Sequence, residues 1–214
     1  SSWSPLGAGM NGDVDDLIVY NGELVAAGYF TNAGGVAVTN IARWTGSAWA
    51  PLGAPSIPQV FAMAVFQDQL VVAGQRFASS GAPAYAIERW NGQEWQSLGT
   101  PPNDTIRALA VQGGVLYAGG TLAGIGGNVD SVIRWDGQAW TGLAGLDHNV
   151  YTLAIHDGQL VAAGSYADGA DVPISRWDGV AWNAMGASVE VGVATLFEHQ
   201  GTLLASGNFH VVGN

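Results

Sequence analysis

Apolar residues in this chain come in short bursts broken by turn signals, with no stripe of helical spacing. LIVY–NG–ELVAAG at 17–28 and TLAIH–DG–QLVAAG at 152–164 each read as two strands around a two-residue turn. Asn-Gly and Asp-Gly tolerate the positive φ that tight hairpins demand. A second hairpin follows in each stretch, with its tip inside WTGSAW (44–49), WNGQEW (90–95), WDGQAW (135–140) or WDGVAW (177–182). The pattern predicts four short strands per stretch, here called a to d, at about 14–20, 23–29, 40–44 and 48–52 in the first.

These stretches are copies of one unit. The motif Trp-x-x-(Leu/Met)-(Gly/Ala) recurs at Trp3, Trp49, Trp95, Trp140 and Trp182, spaced by 46, 46, 45 and 42 residues. Strand b opens on Leu and closes on Gly four residues later each time: Leu24 to Gly28, Leu70 to Gly74, Leu116 to Gly120, Leu160 to Gly164 and Leu203 to Gly207. Four-stranded units of about 40 to 50 residues have the period of propeller blades. The predicted fold is therefore all-β, a β-propeller of four-stranded antiparallel blades forming one domain over 1–214.

Length variation is concentrated in the b-to-c connection. From Trp to the strand-b Leu the count is 21, 21, 21, 20 and 21, whereas from the strand-b Gly to the next Trp it is 16, 16, 15 and 13. In a propeller the b-to-c and d-to-a loops share one face, and the a-to-b and c-to-d turns share the other. Variation on one face marks it as the expected binding surface.

The fifth unit has strands a and b but no Arg-Trp segment before Asn214, while Trp3 to Gly7 is a strand d without the rest of its unit. Five blades closed by that N-terminal strand is the expected arrangement, since closure removes exposed sheet edges. The alternative is completion of the ring by further repeats or by another chain.

WSPLGAGM, LVAAGYFTNAGG and NIARWTGSAW together resemble a propeller-like repeat of secreted bacterial surface proteins. They are also similar to repeats of fungal cortical polarity markers and, more distantly, to Kelch-like propellers. The resemblance covers essentially the whole chain. It implies an extracellular or cell-surface setting and carries no shared chemistry. The third and fourth units depart from it at the b-to-c loop, where TLAGIGGNVDSV and SYADGADVP replace the NAGG form.

Charge narrows the partners. Six basic residues, all Arg, stand against 17 acidic ones, for a net charge of −11 and a pI near 4.3. Phosphate backbones and anionic lipid need a basic patch, so nucleic acid is not an expected partner. No apolar run reaches membrane-spanning length, and no direct membrane insertion is expected. With no Cys, disulfides and thiolate chemistry are excluded.

Candidate chemistry belongs where the copies differ. Ten residues before the strand-b Leu stands Val or Ile every time (14, 60, 106, 150 and 193), read as core. The next position holds Asp15, Phe61, Arg107, Tyr151 and Ala194. This series of unlike side chains, with Asp104, Asp147 and His148 in the loops beside it, is the expected ligand-binding set, for a glycan or a protein. Solvated loop residues without a role are the alternative. Asp13, Asp15 and Asp16 offer hard oxygens that would suit calcium, as do Asp168 and Asp171, although neither group matches the twelve-residue calcium loop. No other cofactor is expected.

The repeated Trp3, Trp44, Trp49, Trp90, Trp95, Trp135, Trp140, Trp177 and Trp182 are read as packing and cross-strand pairs, with sugar stacking as the alternative. Arg43, Arg89, Arg134 and Arg176 are likewise assigned a repeated structural role, with anion binding as the alternative. His156 and His199 fall at equivalent a-to-b turns. No nucleophile elbow, zinc-helix motif or phosphate-cradling loop occurs, so the chain is not expected to be an enzyme. Polysaccharide cleavage by carboxylates from different blades ranks behind both a binding module and an architectural spacer of a larger surface protein.

Overall fold

A computed structural model describes residues 4–77, 83–99, 105–121, 130–166, 173–186, 189 and 192–209. Among them there is no helix, and strands follow one another as antiparallel meanders. The first sheet comprises β1 (Asp13–Tyr20), β2 (Glu23–Tyr29), β5 (Ile41–Trp44) and β6 (Trp49–Pro51), with a small ribbon, β3 (Asn32–Ala33) and β4 (Val36–Ala37), in its b-to-c loop. The second comprises β7 (Gln59–Phe66), β8 (Gln69–Phe77), β9 (Pro83–Trp90) and β10 (Trp95–Ser97). The third comprises β11 (Thr105–Gln112), β12 (Val115–Thr121), β13 (Val132–Trp135) and β14 (Trp140–Gly142). The fourth comprises β15 (Asn149–His156), β16 (Gln159–Ser165), β17 (Ser175–Trp177) and β18 (Trp182–Ala184), and the last pairs β19 (Val193–His199) with β20 (Thr202–Gly207).

Contacts divide the chain into two compact units, Ser1–Leu98 and Gly99–Asn214. In the first, Val25, Ala27 and Ile41 of sheet one pack on Val60, Met63, Leu70 and Val72 of sheet two. In the second, Tyr117 and Val132 of sheet three meet Val150, Leu153 and Leu160 of sheet four, and Val161 and Ala163 of sheet four meet Val193 and Leu196 of the last. Small residues on strand b (Ala26, Ala73, Ala118 and Ala162, all fully buried) let the sheets approach face to face.

The turns carry the conformations their residues favour. Asn21 and Gly22 both have positive φ, as do Asp157 and Gly158, the requirement of a hairpin turn that follows strand twist. Gln67 and Asp68 hold the same turn without glycine.

Within each sheet the two Trp of the c–d hairpin are cross-strand partners, Trp44 opposite Trp49 and Trp90 opposite Trp95, with ring centroids 5.4 and 5.3 Å apart. The second Trp also reaches back one repeat: Trp49 Nε1 donates to the Leu6 carbonyl at 3.0 Å and Trp95 Nε1 to the Leu52 carbonyl at 3.1 Å. Gly53 lies so close to the Trp90 ring that a Cβ would meet it at 2.7 Å. The Trp-x-x-Leu-Gly motif is thus a clasp between successive repeats. Trp182 Nε1 is buried with no partner among the described residues, so the clasp is looser there.

Two expectations change. Val14 is exposed whereas its counterparts Val60, Ile106, Val150 and Val193 are buried, so burial at this position is not a property of the repeat alone. Ser4 to Gly7 lie outside any strand, although Leu6 and Gly7 sit on Trp49 and Trp44 as Leu52 and Gly53 sit on Trp95 and Trp90; Trp3 is outside the described residues. The b-to-c connection differs between the first two sheets. In sheet one it folds into the β3–β4 ribbon, which buries Phe30, Ala33 and Val38 against Ala26 and Ala42, whereas in sheet two β8 and β9 extend into a longer hairpin.

Candidate functional site

All five a–b pairs break register at the same place. Val14 pairs with Gly28 and Asp16 with Ala27, leaving Asp15 as an extra residue; Phe61, Arg107, Tyr151 and Ala194 are the extra residues of the other pairs. The position where the copies carry unlike side chains is thus a β-bulge, a device that kinks the strand and re-aims one side chain out of the ladder.

The strand-b glycine opposite explains why the bulge repeats. A Cβ on Gly28, Gly74, Gly120 or Gly164 would overlap the carbonyl oxygen of Asp13, Gln59, Thr105 or Asn149. The backbone of the bulged strand leans into the space that any other residue would fill. These glycines have ordinary negative φ, so the requirement is for room and not for a left-handed conformation.

In the first unit Asp15 is exposed and its carboxylate accepts a 3.4 Å bond from Gln59 Nε2 of the next sheet; Phe61 is half-buried on β7. Asp16 also reaches the next sheet. Its Oδ1 accepts from its neighbour Leu17 N at 2.7 Å and its Oδ2 from Met63 N of sheet two at 2.6 Å. Burial pushes its pKa up, against the opposing pull of the Met63 and Leu17 amides. Thr152 repeats the device in the second unit, donating no charge but accepting from Leu196 N at 2.9 Å. Asp16 Oδ2 thus bridges to sheet two, while Oδ1 is engaged within its own strand. No group of three or more His, Asp or Glu is arranged to hold a metal among the described residues, and Asp168 and Asp171 lie outside them.

The second unit gathers the denser cluster. Tyr166 Oη donates to Asp147 Oδ1 at 2.7 Å, and its ring meets the His148 imidazole edge-on at 5.5 Å. Ser165 Oγ donates to the Tyr151 hydroxyl at 2.9 Å. The Tyr166 hydrogen bond is the main cause holding the Asp147 carboxyl below its usual range. His148 is buried at 4% exposure, and neither ring nitrogen has a hydrogen-bond partner among the described residues; Asp147 Oδ1 is 3.8 Å from Nδ1. Burial depresses the imidazole pKa, with Asp147 opposing. Arg107 is exposed on the bulge of the neighbouring inner strand, and Asp104 lies outside the described residues.

Sequence reasoning missed Tyr166 and Ser165. The available signal was their place directly after the Gly164 that ends strand b, in the b-to-c loop most unlike the others. An ionised carboxylate, two phenols and a guanidinium offer acceptors and donors for a polyhydroxylated or polar partner. Asp147, held ionised, is poorly suited to donate a proton to a leaving group, which requires a raised pKa.

The Trp and Arg side chains lie on strands c and d, away from the bulges. Arg43 Nη1 contacts both carboxylate oxygens of Glu23 at 2.8 and 2.9 Å across β5 and β2, a structural pairing of the expected kind. His156 Nδ1 reaches Glu198 of the last sheet at 3.3 Å.

No protein-family model matches the chain, and no curated protein matches it. Among solved structures it is similar to a Hadza microbial sialidase, Hz136, at 15% identity and a TM-score of 0.50, over 82% of this chain and 45% of that one. The chain thus spans less than half of that protein. A computationally designed protein, Ika4, matches at 18% identity and a TM-score of 0.49, over 70% of this chain and 85% of that one. At such identity the first likeness concerns the fold alone, and the repeated four-stranded antiparallel sheets are consistent with a β-propeller.

Proposed function

We propose that the chain is a non-enzymatic binding module, a five-bladed β-propeller that recognises a glycan or protein through its bulge residues and the loops beside them. The observation that carries this reading is the contrast within each a–b pair. The glycine that permits the bulge is present in all five copies, whereas the bulged residue is Asp, Phe, Arg, Tyr and Ala in turn. A scaffold that repeats while its projecting side chains do not is a display surface. Seating of Leu6 and Gly7 on the Trp44–Trp49 pair supports a closing role for the N-terminal segment. Resemblance to repeats of secreted bacterial surface proteins supports an extracellular or cell-surface setting. Glycan and protein arrays probed with the intact chain and with Asp15→Ala, Arg107→Ala and Tyr151→Ala test the reading; binding that survives all three substitutions contradicts it.

A second reading, an assembly repeat of a larger surface protein, is favoured by a different observation. The first sheet exposes Leu17 and Val19 (56% and 65%), and the last exposes Phe197 (50%), apolar side chains on faces that elsewhere receive a neighbouring sheet. Native mass spectrometry separates the two, since a monomer supports the closed ring and an oligomer supports completion by another chain.

A further inference from the structure

Two grooves recur at equivalent places, each between successive sheets at the end carrying the a-to-b turns. In the first unit the groove is lined by Glu23, Arg43 and Trp90 among others; in the second, a groove of about 550 Å³ is lined by Val115, Arg134 and Trp177 at the matching positions. They lie at the far end of strand a from the bulge, five residues or roughly 17 Å along β11 from Arg107 to Gln112.

One substitution separates them electrostatically. Arg43 is neutralised by Glu23, whereas Val115 stands where that carboxylate would be. Arg134 has a single long bond, from Nε to Thr141 Oγ1 at 3.4 Å, and no ion pair within 4.0 Å among the described residues; the Asp136 carboxylate acts on it only at longer range, its Oδ1 being taken by the amides of Gln138 and Ala139. Asp178 at the rim does not replace Glu23, because its Oδ1 is engaged by the amides of Val180 and Ala181 and its Oδ2 by Asn183 Nδ2, all at 2.8 Å. The Gln159 amide also lines the groove and is hydrogen-bonded to no described side chain.

We propose that this second groove binds a carboxylate-bearing sugar of the hexuronate class. The Arg134 guanidinium takes the carboxylate through its fork of donors, the Trp177 indole carries the sugar ring, and Gln159 meets a hydroxyl. A guanidinium without a close ion pair among the described residues, in a chain of net charge −11, is the feature of this groove that selects an anion. The site is independent of the bulge surface, so failure of either leaves the other standing.

Trigalacturonate, its fully methyl-esterified form and an acidic tripeptide serve as calorimetric probes of the intact chain. One site for trigalacturonate is expected, at least tenfold tighter than for the ester or the peptide. Arg134→Gln should weaken it at least tenfold. Val115→Glu, which reproduces the Glu23–Arg43 pairing, should do the same, and Glu23→Val should raise the stoichiometry from one site to two. Unfolding midpoints of the variants establish that each is folded, and Arg134→Gln, an exposed change, carries the test if Val115→Glu does not fold. Equal binding of acid and ester, tight binding of the peptide, no binding at all, or indifference to Arg134→Gln overturns the proposal.

Discussion

Gly164 stands opposite Val150 across the β15–β16 pair, one residue before the ladder slips, and a Cβ on it would collide with the Asn149 carbonyl. The collision is with backbone, which cannot swing aside as a side chain could. Gly164→Ala should therefore cost about 1–3 kcal/mol, the range for overpacking a well-packed site, or straighten the bulge and retract Tyr151. Gly158→Ala, at a turn with φ of 71° and open space around it, should cost only about 1–2 kcal/mol of left-handed strain. Urea unfolding measures both, and loss of the Tyr151–Ser165 contact by NMR reports the straightening.

Thr152 Oγ1 serves a buried amide, Leu196 N, on the neighbouring inner strand. Thr152→Val keeps the shape and removes the acceptor, so the Leu196 amide stays buried and unsatisfied. The expected loss is about 1–3 kcal/mol, with faster hydrogen exchange at Leu196 and unchanged exchange at Leu153.

The clasp between repeats gives a smaller effect. Trp49→Phe retains an aromatic ring against Trp44 but deletes the bond to the Leu6 carbonyl, at a net cost of about 0.5–1.5 kcal/mol. Amide exchange should rise first in residues 4–10, whereas the same change at Trp182, whose indole nitrogen has no hydrogen-bond partner among the described residues, should cost less.

His148 sets a pH dependence whose sign is determined by burial. Its folded pKa lies below the ordinary 6.5, so as pH falls through 6.5 the unfolded chain takes up a proton that the folded chain refuses. Stability present above 6.5 is lost progressively below it, down to the folded pKa. The depressed carboxylates Asp136, Asp147 and Asp178 act only in the window below their ordinary 3.8. Thermal unfolding at pH 7.5 and 5.5 should show a drop for the native chain and a smaller one for His148→Phe.

The repeat, the four strands of each unit and the hairpin turns were legible because they depend on local signals: Leu and Gly at fixed spacing, Asn-Gly and Asp-Gly, paired Trp. The unlike series Asp15, Phe61, Arg107, Tyr151 and Ala194 was legible as a position but not as a bulge. A bulge requires knowing that Asn149 O and its equivalents occupy the space beside the glycine, which is tertiary information. Val14 looked like core because its four counterparts are core; its exposure depends on which sheet faces it, and no pattern within β1 encodes that. The Asp147–Tyr166–His148 cluster escaped because Tyr166 belongs to the b-to-c loop whose sequence departs most from those of the other copies.

The account rests on the bulge residues forming the recognition surface. The most direct measurement is a chemical-shift titration of the labelled chain with the ligand that an array selects. Shifts concentrated at Asp15, Arg107, Tyr151 and Tyr166 are the expected result. Shifts confined to the a-to-b turns at residues 21–22, 113–114 and 157–158, with the bulge residues unmoved, would contradict it.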